Sequence, residues 1–354
     1  MTPAQSLTPT LSAMSAAPRP SRTQTPTAPP ASPRASIVFF VLAVAAGCVL
    51  PVQGRVNAAL AQAAGDPVLA ALCSFTLGLV VMVVVSALTR SGRRGLAAVR
   101  PALAARTVRP WYFLAGAIGG VLVLAQALTI GTIGVAVFTV SVVTGQVVGG
   151  MLVDRLGLSP AGVRRLTPRR LIGAGLALVA VLVVVWPQLG GADVGPLWLL
   201  FAALPLLAGL ATAEQQVLNA RQATAYGSAL PATLTNFAAG TVALGLVWAA
   251  LSVIAGSGPP NLPSDWRLYI SGPLGCLFIG FSAVAVPRIG VFATTLGLVS
   301  GNLVGSLVVD LIAPTAGSHV TAMTVVGTLG ALAAVTLASM PSRRPAEAAP
   351  VSRR

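Results

Sequence analysis

The chain contains no lysine and a single histidine, His319, in 354 residues. Without lysine it has no phosphate-binding G-x-x-x-x-G-K-[ST] loop, no Schiff-base amine and no Ser-Lys dyad. One histidine leaves no multi-histidine metal site, so neither a metal nor a cofactor is expected. The three cysteines, Cys48, Cys73 and Cys276, all lie in apolar runs, which argues against a disulfide framework. Charge is also scarce: 8% of residues are charged, against roughly 25% in a soluble domain. That is too little polar material to cover a water-facing surface of this size. What is present is apolar, at 55% hydrophobic residues and a mean hydropathy of +0.87. A cytosolic enzyme is excluded, and no HExxH, G-x-S-x-G or paired membrane aspartates point to an intramembrane one. The composition is that of a polytopic, all-α integral membrane protein with the lipid bilayer as its surroundings.

About 20 apolar residues cross a bilayer, and ten such runs occur, at 37–59, 67–88, 111–130, 133–152, 171–186, 197–219, 229–254, 268–286, 290–309 and 321–338. Residues 1–35 form a Pro/Ser/Thr/Ala tail expected to be disordered, and 341–354 a short second tail. Arg34, the run from Ile37 to Ala46 and Gly47-Cys48 look like a signal peptide with a lipobox. Equally apolar runs follow as far as residue 338, so this is read as the first membrane helix. The net charge of +15 would suggest nucleic acid in a soluble protein. Here it sorts by topology: with both ends in the cytoplasm, twenty arginines fall on the cytoplasmic side and only Arg55 and Arg267 on the other. No nucleic-acid partner is expected.

The sequence repeats itself. A shift of 162 places Gly47, Gln53, Asn57, Gly65, Phe75 and Gly78 on Gly209, Gln215, Asn219, Gly227, Phe237 and Gly240. Further on, a shift of 156 places Gly116, Gly119, Gly134, Gly145, Gly149 and Asp154 on Gly272, Gly275, Gly290, Gly301, Gly305 and Asp310. The chain divides into a first five-helix repeat at 36–190 and a second at 191–340. Five is odd, so the second enters the membrane inverted, the arrangement that alternating-access carriers use around a midplane site.

The paired G-x5-Q-x3-N motifs, with Thr144-Gly-Gln-Val-Val-Gly-Gly-Met-Leu-Val-Asp154-Arg-Leu-Gly157 and Ser300-Gly-Asn-Leu-Val-Gly-Ser-Leu-Val-Val-Asp310, resemble the YdcZ-type branch of the drug/metabolite transporter superfamily. The resemblance covers residues 37–340. It implies a ten-helix carrier of the bacterial inner membrane that exports small molecules. Many relatives are single five-helix halves that pair, and this chain looks like their fusion. It departs from them at Arg155, where relatives often carry Asp-His-Phe-Gly, and in lacking a glycine after Asp310.

Several residues could carry function. Gln53 and Asn57 share one face of the first helix, and Gln215 and Asn219 share one face of the sixth. These amide pairs either bind a polar substrate or join helices by hydrogen bonds. Gln146 and Asn302 are secondary lining residues. Glu214 is the only acid well inside an apolar run, which makes it a proton-coupling candidate; its position toward the cytoplasmic boundary, within reach of Arg221, also allows a structural role. Arg55 would attract anions or extend to the outer headgroups. Ser141, Gly145 and Gly149, mirrored by Gly297, Gly301 and Gly305, form small-residue stripes suited to close helix packing between the halves. Asp154 and Asp310 would serve as caps or salt-bridge partners. The expectation is a secondary transporter that exports small organic molecules or metabolites by alternating access; the alternatives are a lipid or lipid-linked precursor translocase, or a non-transporting membrane subunit. Homo-oligomerisation is left open.

Overall fold

The computed structural model describes residues 33–158, 167–189, 196–256, 260, 262–316, 318 and 320–339. Most of both tails, His319, Arg164 and Arg165 therefore lie outside the described residues. All regular structure among the described residues is helical: α1 (Pro33–Gly47), α2 (Val49–Ala64), α3 (Pro67–Leu88), α4 (Arg90–Ala104), α5 (Leu114–Ile133), α6 (Val135–Arg155), α7 (Pro168–Leu189), α8 (Pro196–Tyr226), α9 (Ala229–Ala255), α10 (Ser271–Ile312) and α11 (Ala322–Ser339). Among those residues, nine helical segments are long and apolar enough to cross a membrane, with α1 and α2 together making the first, Ile37–Ala64.

Local chemistry sets the boundaries. Gly65 and its repeat equivalent Gly227 end α2 and α8 at φ +68° and +69°, a left-handed conformation that glycine adopts without a Cβ clash. The next residue in each copy caps the following helix. Asp66 accepts from the Val68 and Leu69 amides at 2.9 and 3.0 Å, and Ser228 from the Leu230 amide at 3.3 Å. Amide-bearing residues lower the hydropathy of both segments without ending the helix, so α2 and α8 run past the expected limits at 59 and 219 to Ala64 and Tyr226.

Two expectations need correction. The connection after the second span is not a loop: Thr89 caps α4 through the Gly92 amide at 3.1 Å, and α4 is an amphipathic helix lying against the starts of α8's exit turn and α9. The break expected between the runs at 268–286 and 290–309 is absent, helical backbone continuing through it as α10; within α10, Ala293–Ile312 is long enough to span and Ser271–Phe281 is a shorter apolar piece. Gly134, at φ +81°, separates α5 from α6, whereas its equivalent Gly290 remains helical.

The two copies interlock. α6 packs along α8 and α5 along α8 and α9; correspondingly, α10 packs along α1, α2 and α3. α3 and α9 face each other, as do α7 and α11. The largest buried cluster runs from Ile130, Ile133 and Val140 to Val184, Leu303 and Val335, joining residues of both copies.

Candidate functional site

The amides of α2 point into the protein. Gln53 is 8% exposed and Asn57 is fully buried. Asn57 Nδ2 donates to Gln126 Oε1 on α5 at 2.8 Å. Gln53 Oε1 and Asn57 Oδ1 have no partner among the described residues. A buried polar atom left unpaired costs about 1–3 kcal/mol, so these two oxygens, one turn apart on one helix face, are poised to accept from a hydrogen-bond donor.

Gln53 lies over Gly275 of α10, where a Cβ would stand 3.3 Å from its Oε1. Gln215 does the same in the other copy: it is half-buried over Gly119 of α5, its Nε2 2.6 Å from where a Cβ would stand. Each glutamine thus crosses to the opposite repeat and meets the equivalent glycine. Asn219 Oδ1 accepts from Asn236 Nδ2 on α9 at 3.1 Å.

Phe75 of α3, which shares the space over Gly119 with Gln215 and Asn236, lies beside Phe237 of α9, ring centroids 5.2 Å apart and planes tilted by 53°. Phe237 occupies the space over Gly78, and Phe75 that over Gly240. Sequence reasoning matched both rings as repeat partners but did not place them at the site. Gln126 and Asn236 were missed altogether: their repeat equivalents are Ser282 and Ser74, so no internal match singled them out. The groups gathered over Gly119 are two neutral amides and an aromatic ring, those of Gln215, Asn236 and Phe75.

The other candidates occupy different places. Gln146 and Asn302 are half-buried on α6 and α10, and no hydrogen bond ties either to the amide groups among the described residues. Glu214 is half-buried on α8 and does not pair with Arg221. The Arg221 guanidinium instead lies 5.8 Å from the Tyr112 ring centroid and donates to the Leu158 carbonyl. Arg55 is fastened to the Ala313 carbonyl at 3.0 Å, at the end of α10.

The glycine stripes lie on helices of the opposite copy. A Cβ on Gly145 would collide with the Leu206 carbonyl of α8, and one on Gly149 would meet Leu210 and Ala213. Equivalently, Gly301 faces the Val44 carbonyl and Gly305 faces Cys48. Gly297 sits against Ala43, and Ser141 is fully buried.

The two aspartates, although repeat partners, differ. Asp310 is 5% exposed and caps the start of α6, accepting from the Val135 and Ala136 amides at 3.0 and 2.7 Å and from Ser318 Oγ at 2.9 Å. Asp154 instead pairs with Arg170 at 2.7 Å. A cleft between α7 and α11, lined by Leu182, Trp186 and Met323 among others, is wholly apolar and separate from the amides. No group of three or more metal-ligating side chains occurs among the described residues.

The family model described as "Putative inner membrane exporter, YdcZ" matches residues 38–183 and again 200–337, one match per repeat. A search of curated proteins finds no match. Together the two family matches cover well over half of the chain, and the chain therefore belongs to the YdcZ family of drug/metabolite transporters, as a multi-pass protein of the inner membrane.

Proposed function

We propose that the protein is a secondary carrier that exports a small organic molecule by alternating access, with two inverted five-helix repeats and both termini in the cytoplasm. Ten crossings require α10 to pass through the membrane twice. Its contacts support this: Gly275 lies against Gln53 and Gly305 against Cys48. Thirty residues of straight helix would set those glycines about 45 Å apart, whereas Gln53 and Cys48 are five residues apart on one segment.

The observation that carries the reading is that equivalent residues of the two repeats make different contacts. At the end of the molecule containing Gly134, Asn57 joins α2 to α5 and Asp310 caps α6. At the opposite end, among the described residues, α8 and α9 have no comparable packing against α10, and Asp154 is held by Arg170. Two copies of one sequence pattern in two arrangements supply the two conformations of a carrier, each reached by exchanging the roles of the copies. In the exchanged state Asp154 would cap the backbone at residues 291–292, the equivalents of Val135 and Ala136. The arginine distribution supports a closed end outside and an open end toward the cytoplasm. The substrate would bind between Gln53, Asn57, Gln215 and Asn219 against the Phe75–Phe237 pair, with Gln146 and Asn302 further along the path.

The test starts from a metabolite profile of cells with and without the gene, which supplies the compound. Counterflow of that compound in proteoliposomes should fall at least about tenfold in Gln53→Ala and in Gln215→Ala, the loss expected from one buried hydrogen bond of about 1.4 kcal/mol. Full flux in both variants would remove the amides from the pathway. A purified protein that moves no compound distinguished by the profile would overturn the carrier reading itself.

A further inference from the structure

The transport reading makes no use of α4, which has its own chemistry. At 100° per residue, Arg90, Arg93, Arg94 and Arg100 fall within an arc of about 120°. Gly92, Gly95, Val99 and Leu103 lie on the opposite side. That side is fixed to the protein: Gly95 is against Pro231 and Ser228, and Ser91 Oγ is 2.9 Å from Ser228 Oγ. The four arginines are all exposed, as are Arg106 and Arg109 in the connection to α5. No acidic residue occurs anywhere between Asp66 and Asp154, so none of the six can have a carboxylate neighbour from its own stretch of chain.

The depth of α4 is also set. Arg93 turns back to donate to the Ala87 and Leu88 carbonyls at 2.8 and 3.3 Å, where α3 ends. Leu88 beside it is 75% exposed, Leu96 borders the basic arc at 37%, and Trp111, with its edge on Tyr112, is 43% exposed. Apolar and aromatic side chains flanking a basic arc at the mouth of a membrane helix mark the headgroup level. Topological sorting requires positive charge on this connection, but it does not require a folded helix, docked on one side, that collects the charge on the other. The equivalent connection in the second repeat contains one acid and one base, Asp265 and Arg267.

We propose that the basic face of α4, extended by Arg106 and Arg109, binds the phosphate headgroups of anionic phospholipids in the membrane that the protein spans. Guanidinium groups match phosphate oxygens two at a time, and a polybasic segment next to a membrane helix gains attraction with each arginine.

The test uses the full chain in detergent micelles, incubated with equimolar phosphatidylglycerol and phosphatidylethanolamine and read by native mass spectrometry. Phosphatidylglycerol should be retained over phosphatidylethanolamine by about fivefold or more, and rising salt should reduce the preference. The triple variant Arg90→Gln, Arg94→Gln, Arg100→Gln, which spares the anchoring Arg93, should lose the preference, whereas the corresponding lysine variant should keep most of it. Equal retention of the two lipids by the unaltered protein would overturn the proposal without any variant having to fold. So would a preference unchanged in a glutamine variant whose thermal unfolding matches the parent. Displacement of phosphatidylglycerol by inorganic phosphate, with no dependence on the lipid's chains, would mark a soluble-anion site and overturn the lipid assignment.

Discussion

Replacing Asp310 by alanine should shift the conformational equilibrium far more than the same change at Asp154. Asp310 satisfies two amides at the start of α6 and the Ser318 hydroxyl. Loss of an N-cap to alanine costs about 0.5–2 kcal/mol, and hydrogen bonds to a charged group contribute about 1.5–3 kcal/mol each. The two scales overlap in what they count, so about 3 kcal/mol is a reasonable total, or roughly a hundredfold in population. Asp154 makes one ion pair, with Arg170, and caps no helix among the described residues, so its loss removes one contact where the loss of Asp310 removes three. The readout is a cysteine at Ala127, buried on α5 against Leu60, Ala61 and Ala70, in a chain whose native cysteines have been replaced. Its reaction with a membrane-impermeant maleimide reports opening of the end closed by Asn57–Gln126. Labelling should rise by up to about a hundredfold in Asp310→Ala, less in Asp310→Asn, and within about fivefold of the parent in Asp154→Ala. Equal effects of the two alanine variants, or no effect of Asp310→Ala, would refute the assignment of a closed end to this aspartate.

Further expectations concern packing, the amides and coupling. Gly145→Ala and Gly301→Ala should each lower the thermal midpoint by several degrees, since the new methyl group meets a backbone carbonyl of the opposite copy. Gly150→Ala, with open space around it, should be neutral or stabilising by up to about 1 kcal/mol from helix propensity. Gln126→Leu should destabilise by about 1–3 kcal/mol in a thermal or denaturant titration, because the Asn57 side chain then loses the one hydrogen bond it makes among the described residues while remaining buried. Glu214→Gln should abolish flux driven by a pH gradient while sparing substrate binding; an unchanged pH dependence would remove Glu214 from the mechanism. Joining Gln62→Cys to Gly131→Cys with a short thiol-bridging reagent should block flux, since Gln62 Nε2 lies 2.6 Å from where a Gly131 Cβ would stand. Flux that continues in the cross-linked protein would mean that this end need not open.

The features legible in the sequence were those written in single residues of an unusual type. Glycines at a fixed shift marked sites of close backbone approach, and in the structure they meet equivalent atoms: Gly47 faces the Leu298 carbonyl as Gly209 faces that of Val142, and Gly116 faces Asn236 as Gly272 faces Ser74. Apolar runs located most of the membrane helices because hydropathy depends on composition alone. α4 escaped because its 15 residues hold too few apolar side chains for that criterion. The 3.6-residue periodicity of Arg90, Arg93, Arg94 and Arg100 is present in the sequence, but it is a pattern of charge that an apolar criterion does not register. The partners of the amides could not be read at all. Asn57 chooses Gln126, 69 residues away, and Asn219 chooses Asn236, choices made by how helices pack rather than by any local pattern.

The change of shift from 162 to 156 has a structural counterpart. It falls between Gly78 and Gly116, where the first copy has six more residues than the second between Gly240 and Gly272. That interval contains α4. Within the packed helices the two copies are bound to each other's geometry, because Gly47, Gly116, Gly145, Gly209, Gly272 and Gly301 each meet a backbone carbonyl of the other copy, and an insertion there would break the pairing. The connections are free of that constraint, and under the proposed inversion they would lie on opposite faces of the bilayer. One copy's connection could then become a short basic helix while the other's lost nearly all charge. The inversion proposed for the transport cycle would therefore also account for halves that agree closely in their glycines and diverge in the segment between their second and third membrane helices.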